Sequence, residues 1–215
     1  MAWKTVLCDW NGTLLDDLPI VYESIKCIFK TYGVPAPPLA IYKEEITSEY
    51  MEFYWAHGIP KTVGSDDLNR IRKTCFEKCW NTSKLFPGAE EMLEHFKLHG
   101  IQNVLITAED TEIMHHRATQ FNLDLLFDII CADARDKAYA IRALKDYFNI
   151  EPTSCIYIDD NHDGLVMAKS LGVTTVGVVH GYHPPRRIAE AEPDFIAQNL
   201  NDVARIILAE QRVSA

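Results

Sequence analysis

From Leu85 to the end of the chain, short apolar runs alternate with helical patterns, and this confines the fold to a narrow set. Phe86-Pro87-Gly88 opens a helix over residues 89–99 that Gly100 closes, and 101–107 reads as a strand. Helices over 110–122, 136–148 and 165–171 are then separated by strands at 127–131 and 154–158. Gly172 stops the last of these helices. A strand at 173–180 and a weaker one at 194–196 lead into a closing helix. Such alternation implies a parallel sheet with right-handed crossovers.

The N-terminal part supplies one more strand and an insert. Thr5-Val6-Leu7-Cys8 is a mostly apolar, β-prone run without polar alternation, which reads as a buried strand. It stops at Asp9-Trp10-Asn11-Gly12-Thr13-Leu14. A carboxylate at the carboxyl end of a buried parallel strand sits where open α/β sheets bind ligands. Gly12 permits a tight turn and a close approach of backbone N–H groups to an anion, and the Thr13 hydroxyl can tie that turn down. Beyond Pro19 the spacing predicts an amphipathic helix ending near Tyr32-Gly33, which Val34-Pro35-Ala36-Pro37-Pro38 cannot continue. Helical patterns over 41–57 and 66–80 follow, and nothing between 17 and 84 reads as a strand. The expectation is therefore an α/β, Rossmann-like parallel-sheet core (1–16 and 85–215) carrying an inserted α-helical cap (17–84). The aromatic run of Tyr50, Phe53, Tyr54 and Trp55 is expected in the core of that cap.

A length of 215 residues accommodates such a core with its insert, and 47% apolar against 24% charged residues describes a globular protein. The net charge of −10 argues against nucleic acid as a partner, since phosphates need a basic face. It leaves room for a small phosphorylated substrate, because a metal ion can invert the local sign. No run approaches the roughly 18 apolar residues of a membrane span. The chain enters its first strand without a signal peptide, so a cytoplasmic location is expected. Of six cysteines, Cys8, Cys131 and Cys155 lie in apolar strand-like runs. Cys27 falls in the first helix of the insert, and Cys75 and Cys79 lack the second pair a zinc site requires. All six read as structural.

Polar groups accumulate at strand ends. Asp9 ends the first strand, Thr107 ends the next, Asp159-Asp160 end a later one, and Lys137 begins the helix after Cys131. In a parallel sheet these ends share one edge. A lysine in a first helical turn opposes the helix dipole, which hints at a use beyond stability. Two adjacent carboxylates repel unless a cation is present. His57, His162, His180 and His183 show no ligand spacing, and Asp163 reads as a helix N-cap.

These residues carry a resemblance. The stretch from Asp9 to Leu14 is similar to the first motif of the haloacid dehalogenase superfamily, strand–Asp-x-Asp-Gly-Thr-Leu, at every fixed position but Asn11. Thr107, Lys137 and Asp159-Asp160 match its second, third and fourth motifs, with Arg135 and Lys145 as alternatives to the lysine. Size and cap position look most like its phosphoglycolate phosphatase group. The resemblance implies Asp9 as nucleophile, forming an aspartyl-phosphate, and a Mg²⁺ ion held by Asp9, the carbonyl of Asn11, Asp160 and Asp159. It further implies that the turn of Gly12 and Thr13, Thr107, and the backbone N–H groups of Trp10 and Ala108 hold the phosphoryl oxygens while Lys137 neutralises them. The implied partner is a small phosphorylated metabolite, with a monomer or homodimer expected.

Two positions depart from the pattern. Asn11 stands where the family has its general acid–base Asp, and an amide cannot transfer that proton; such catalysis is worth roughly 10²–10⁴ in rate. The metal contact there is a backbone carbonyl, which Asn retains, so metal and phosphate binding should survive while turnover slows. Gly164 stands where register places the family's last acid. The leading expectation is a slowed Mg²⁺-dependent phosphatase. Its alternatives are a weak or inactive member that binds a phosphometabolite or protein partner, and a phosphonate C–P hydrolase with a cap lysine such as Lys43 as Schiff base. Haloacid dehalogenation fits poorly, because the insert has no arginine before Arg70.

Overall fold

The computed structural model describes residues 3–76 and 82–213. Within them the chain divides into two compact units, one built from the residues up to Leu15 and from Leu85 onward, the other from Asp16–Lys84.

The larger unit holds a sheet of β1 (Thr5–Cys8), β4 (Gln102–Ile106), β5 (Ile129–Cys131), β6 (Cys155–Asp159), β7 (Thr174–Val178) and β8 (Phe195–Ala197). Their order is β5-β4-β1-β6-β7-β8, and every pairing is parallel. β1 is central, and Cys8 lies opposite Leu105 on one side and Ile158 on the other. This register sets Asp9 beside Asp159.

Both faces of the sheet are covered, so its strands read as continuous apolar runs. Val6, Cys8, Ile156, Ile158, Val176 and Val178 face α5 (Ala89–Leu98) and α11 (Leu200–Val213). The alternate residues, Leu7 and Tyr157 among them, face Ile141 and Leu144 of α8 (Lys137–Phe148) and Ala168 of α9 (His162–Ser170). The expected parallel α/β core is therefore present. α6 (Thr111–Phe121) is followed directly by the short α7 (Leu123–Leu126), and α10 (Pro185–Glu190) follows β7; neither short helix was anticipated. The N-cap of α9 is Asn161, whose side chain accepts from the N–H groups of Asp163 and Gly164, rather than Asp163 itself.

The smaller unit contains α1 (Leu18–Thr31), α2 (Leu39–Glu45), α3 (Tyr50–Ala56) and α4 (Ser65–Phe76). The helix expected over 41–57 is thus two helices: Ile46 already has extended backbone (ψ 137), which ends the first of them. Cys79 and the end of the helix expected to reach residue 80 lie outside the described residues. Phe29 stacks on Tyr54 at 5.7 Å and meets Phe53 edge-on at 6.3 Å, so those aromatics form this unit's core. Cys27 and Cys75 are joined in a disulfide linking α1 to α4, which the cysteine spacing did not reveal. Cys8, Cys131 and Cys155 are free. Two short strands, β2 (Leu15–Asp16) and β3 (Lys84–Leu85), pair where the chain passes from one unit to the other. Among the described residues, no helix is long and apolar enough to cross a membrane.

Candidate active site

At the carboxyl ends of β1 and β6 the chain leaves the sheet on carboxylates. Asp9, Asp159 and Asp160 are all buried, and one oxygen from each lies within 4.8 Å of the others. Lys137, the first residue of α8, reaches across to place Nζ 2.7 Å from Asp9 Oδ1. The same ammonium lies 3.1 Å from the Tyr157 hydroxyl and 3.5 Å from Asp159 Oδ2. Of the other cations considered for this place, Arg135 is exposed and Lys145 pairs with Glu151 at 3.1 Å.

The turn after β1 is fastened to the fourth motif. The Thr13 hydroxyl donates to Asp160 Oδ1 at 2.7 Å and accepts from the Asp160 N–H at 3.1 Å. Its oxygen also lies 3.5 Å from Asp9 Oδ2. Gly12 has φ +79, and a Cβ there would come within 2.4 Å of Asp160 Oδ2, so glycine is required on both counts. The other oxygen of Asp160 accepts from the Tyr182 N–H at 2.6 Å. That loop approaches closely because residue 181 is also glycine: a Cβ on Gly181 would fall 2.2 Å from Asp160 Oδ2. The histidines expected to be ordinary brace the surroundings. His180 Nε2 meets the Thr13 carbonyl oxygen at 3.0 Å, and His183 Nδ1 accepts from the His162 N–H.

Thr107 and Asn11 form a second cluster. The Thr107 hydroxyl donates to Asn11 Oδ1 at 3.4 Å and accepts from the Glu109 N–H at 3.0 Å. Ala108 is exposed beside it, while the Trp10 side chain is fully buried. Glu109, which the sequence did not single out, carries a nearly buried carboxyl 4.0 Å from the Arg117 guanidinium. Burial raises its pKa, and Arg117, Trp10 and Asn11 pull it partly back.

Electrostatics follow from this crowding. Burial pushes the Asp9 carboxyl up to about 6, with Lys137 lowering it and Asp159 raising it. Asp160 is held well above the carboxylate range by burial and then by Asp159 and Asp9. Burial lowers the Lys137 pKa, but Asp159 and Asp9 outweigh it and hold the ammonium charged. Three carboxylates facing one ammonium leave negative charge uncompensated, and oxygen-only donors suit a hard divalent cation. The residues present therefore fit Mg²⁺.

Tyr157 was missed because a tyrosine inside an apolar strand reads as core. Gly181 and Tyr182 were missed because their contact with Asp160 depends on the path of a loop.

Residues 6–178 match the family described as haloacid dehalogenase-like hydrolase. The chain is 22% identical to a phosphoglycolate phosphatase of Vibrio vulnificus, over 95% of this chain and 96% of that protein. It is 24% identical to a phosphorylated carbohydrates phosphatase of Thermotoga maritima, over 93% and 99% of the two chains. A crystal structure described as a predicted phosphatase from Clostridium acetobutylicum superposes with a TM-score of 0.82 at 21% identity, over 97% of this chain and all of that one.

Proposed function

We propose, from the premise that the chain belongs to the haloacid dehalogenase-like hydrolase family, that it is a Mg²⁺-dependent phosphatase releasing phosphate from a small phosphorylated metabolite. The observation that carries this reading is the Lys137 ammonium 2.7 Å from Asp9, inside a cluster of three buried carboxylates at the sheet edge. The names of the similar proteins, a phosphoglycolate and a phosphorylated-carbohydrate phosphatase, support a phosphorylated small acid or sugar.

Asp9, with its pKa near 6, is ionised at neutral pH and serves as nucleophile. Its carboxylate oxygen bonds to phosphorus while the ester P–O bond breaks, and the departing oxygen keeps the electron pair and takes up a proton. A water oxygen then bonds to phosphorus, the Asp9–phosphorus link breaks, and the water gives up a proton as the carboxylate re-forms. Lys137 orients Asp9 and offers charge to the phosphoryl oxygens, and the Thr107 hydroxyl offers a hydrogen bond. Mg²⁺, which Asp9, Asp160 and the Asn11 carbonyl would hold with Asp159 behind them, supplies further positive charge when bound. We assign the choice of substrate to the helical insert. Asn11 cannot move a proton, so the first step takes one from solvent or a neighbour, the second gives one back there, and turnover is slow.

The amide at position 11 also favours a second reading, a member that binds phosphometabolites without turning them over. A panel of phosphorylated acids and sugars assayed with Mg²⁺ separates the two. Phosphate release that Asp9→Asn abolishes supports catalysis. Raised melting temperatures without release support the binder.

A further inference from the structure

Gly164 lies in the first turn of α9, and its φ is not positive, so no backbone constraint demands glycine there. Glycine inside a helix is costly relative to alanine, by roughly 1 kcal/mol. What excludes a side chain is a neighbour: a Cβ on residue 164 would lie 2.0 Å from Asp159 Oδ2 and 2.9 Å from its Cγ. The carboxylate of Asp159 occupies the room in which an acid at 164 would begin.

That carboxylate is fully buried and fully engaged. Oδ1 accepts from the Asn161 N–H at 2.9 Å, and Oδ2 accepts from the Tyr157 hydroxyl at 2.6 Å and faces Lys137 Nζ at 3.5 Å. The Tyr157 hydroxyl, its hydrogen directed at Asp159, presents a lone pair to Lys137 at 3.1 Å. The ammonium thus has three acceptors, Asp9, Tyr157 and Asp159, matching its three N–H bonds. Two of them anchor it, and the third is the proposed nucleophile.

We propose that Asp159 and Tyr157 are positioning residues that aim Lys137 at Asp9, and that Gly164 is the vacancy that admits Asp159. The acid that register places at 164 has moved to 159, and the two positions are mutually exclusive for a side chain. Asp160 is then the carboxylate left to share a cation with Asp9, while Asp159 serves the lysine.

A double-mutant cycle tests the steric half without reference to activity. Gly164→Ala lowers the melting temperature of the otherwise unaltered chain. In an Asp159→Ala background the same change leaves it unchanged or raises it, because the clash is gone and alanine favours helix. An equal drop in both backgrounds overturns the exclusion.

The positioning half rests on the phosphatase reading and is read from phosphate release. Asp159→Asn and Tyr157→Phe should each lower kcat by roughly 10-fold or more, the usual loss when a supporting partner is removed. Neither should cost anything further in a Lys137→Ala background. Equal losses in both backgrounds would show a general structural role and sink the positioning assignment. If no variant and no unaltered chain releases phosphate, the phosphatase reading fails while the melting cycle still decides the exclusion.

Discussion

At the scale of single residues, what the sequence disclosed was strand-end chemistry. Asp9, Thr107 and Asp160 were legible because an apolar run stops on them, and Lys137 because a cation opens a helix. Glu109 was not, since a glutamate in a loop carries no pattern; only the fold sets it beside Asn11. Its presence changes what repairing Asn11 would do. Asn11→Asp restores the family's acid but places it against a buried carboxyl, and two such groups resist joint ionisation. Asn11→Asp alone is therefore expected to lower the melting temperature. Asn11→Asp with Glu109→Gln should raise kcat, by up to about 10²-fold where proton transfer limits turnover. A double variant no faster than the parent would mean that proton transfer at position 11 does not limit the rate. Asp9 gives a second prediction. Its pKa of about 6 exceeds the ordinary aspartate value of 3.8, so between those values the folded state binds more protons than the unfolded one. Stability is thus lost as pH rises from about 4 to about 6, and the loss persists above. In metal-free buffer, the gain in melting temperature from Asp9→Asn, which mimics the protonated carboxyl, should grow across that window. A constant difference would refute the raised pKa.

At the scale of elements, periodicity located helices well wherever capping chemistry was explicit, as at Asp110 and Asp136, whose side chains accept from N–H groups of α6 and α8. It failed between α2 and α3, where aromatic residues recur on either side of residues 46–49 and no glycine or proline marks the stop. Pairing of Cys27 with Cys75 was illegible for another reason. Residues 48 apart in sequence meet only because α1 packs on α4, and spacing alone carries no such information. A loop of that length, 48 residues, contributes about 4 kcal/mol through restriction of the unfolded chain. Reduction, or Cys27→Ser with Cys75→Ser, should lower the melting temperature of the helical unit, and dithiothreitol should have no further effect on the double variant. An unchanged melting curve on reduction would argue against the crosslink. Such a bond persists in an oxidising compartment and opens in a thiol-buffered one, so the compartment sets which form prevails.

At the scale of the whole molecule, the parallel sheet was legible because strand–helix alternation leaves few topologies, whereas the central place of β1 rests on its pairing with both β4 and β6. The cradle around Asp160 was not, because Gly12 and Gly181 come together only in the folded chain, each leaving room for the same carboxylate oxygen. The last prediction concerns what this assembly of charge requires. Folding buries Asp9, Asp159 and Asp160 with Lys137 as the cation hydrogen-bonded to Asp9, and burial with mutual repulsion holds Asp160 well above the ordinary carboxylate range. A divalent ion held by this site would find no such site in the unfolded chain, so its binding would stabilise the folded protein. At a concentration of 100 times its dissociation constant the gain is about 2.7 kcal/mol. Mg²⁺ should therefore raise the melting temperature of the intact chain in a concentration-dependent way. Asp160→Ala should remove most of that rise. If Asp160→Ala keeps the full Mg²⁺ response, the ion binds elsewhere.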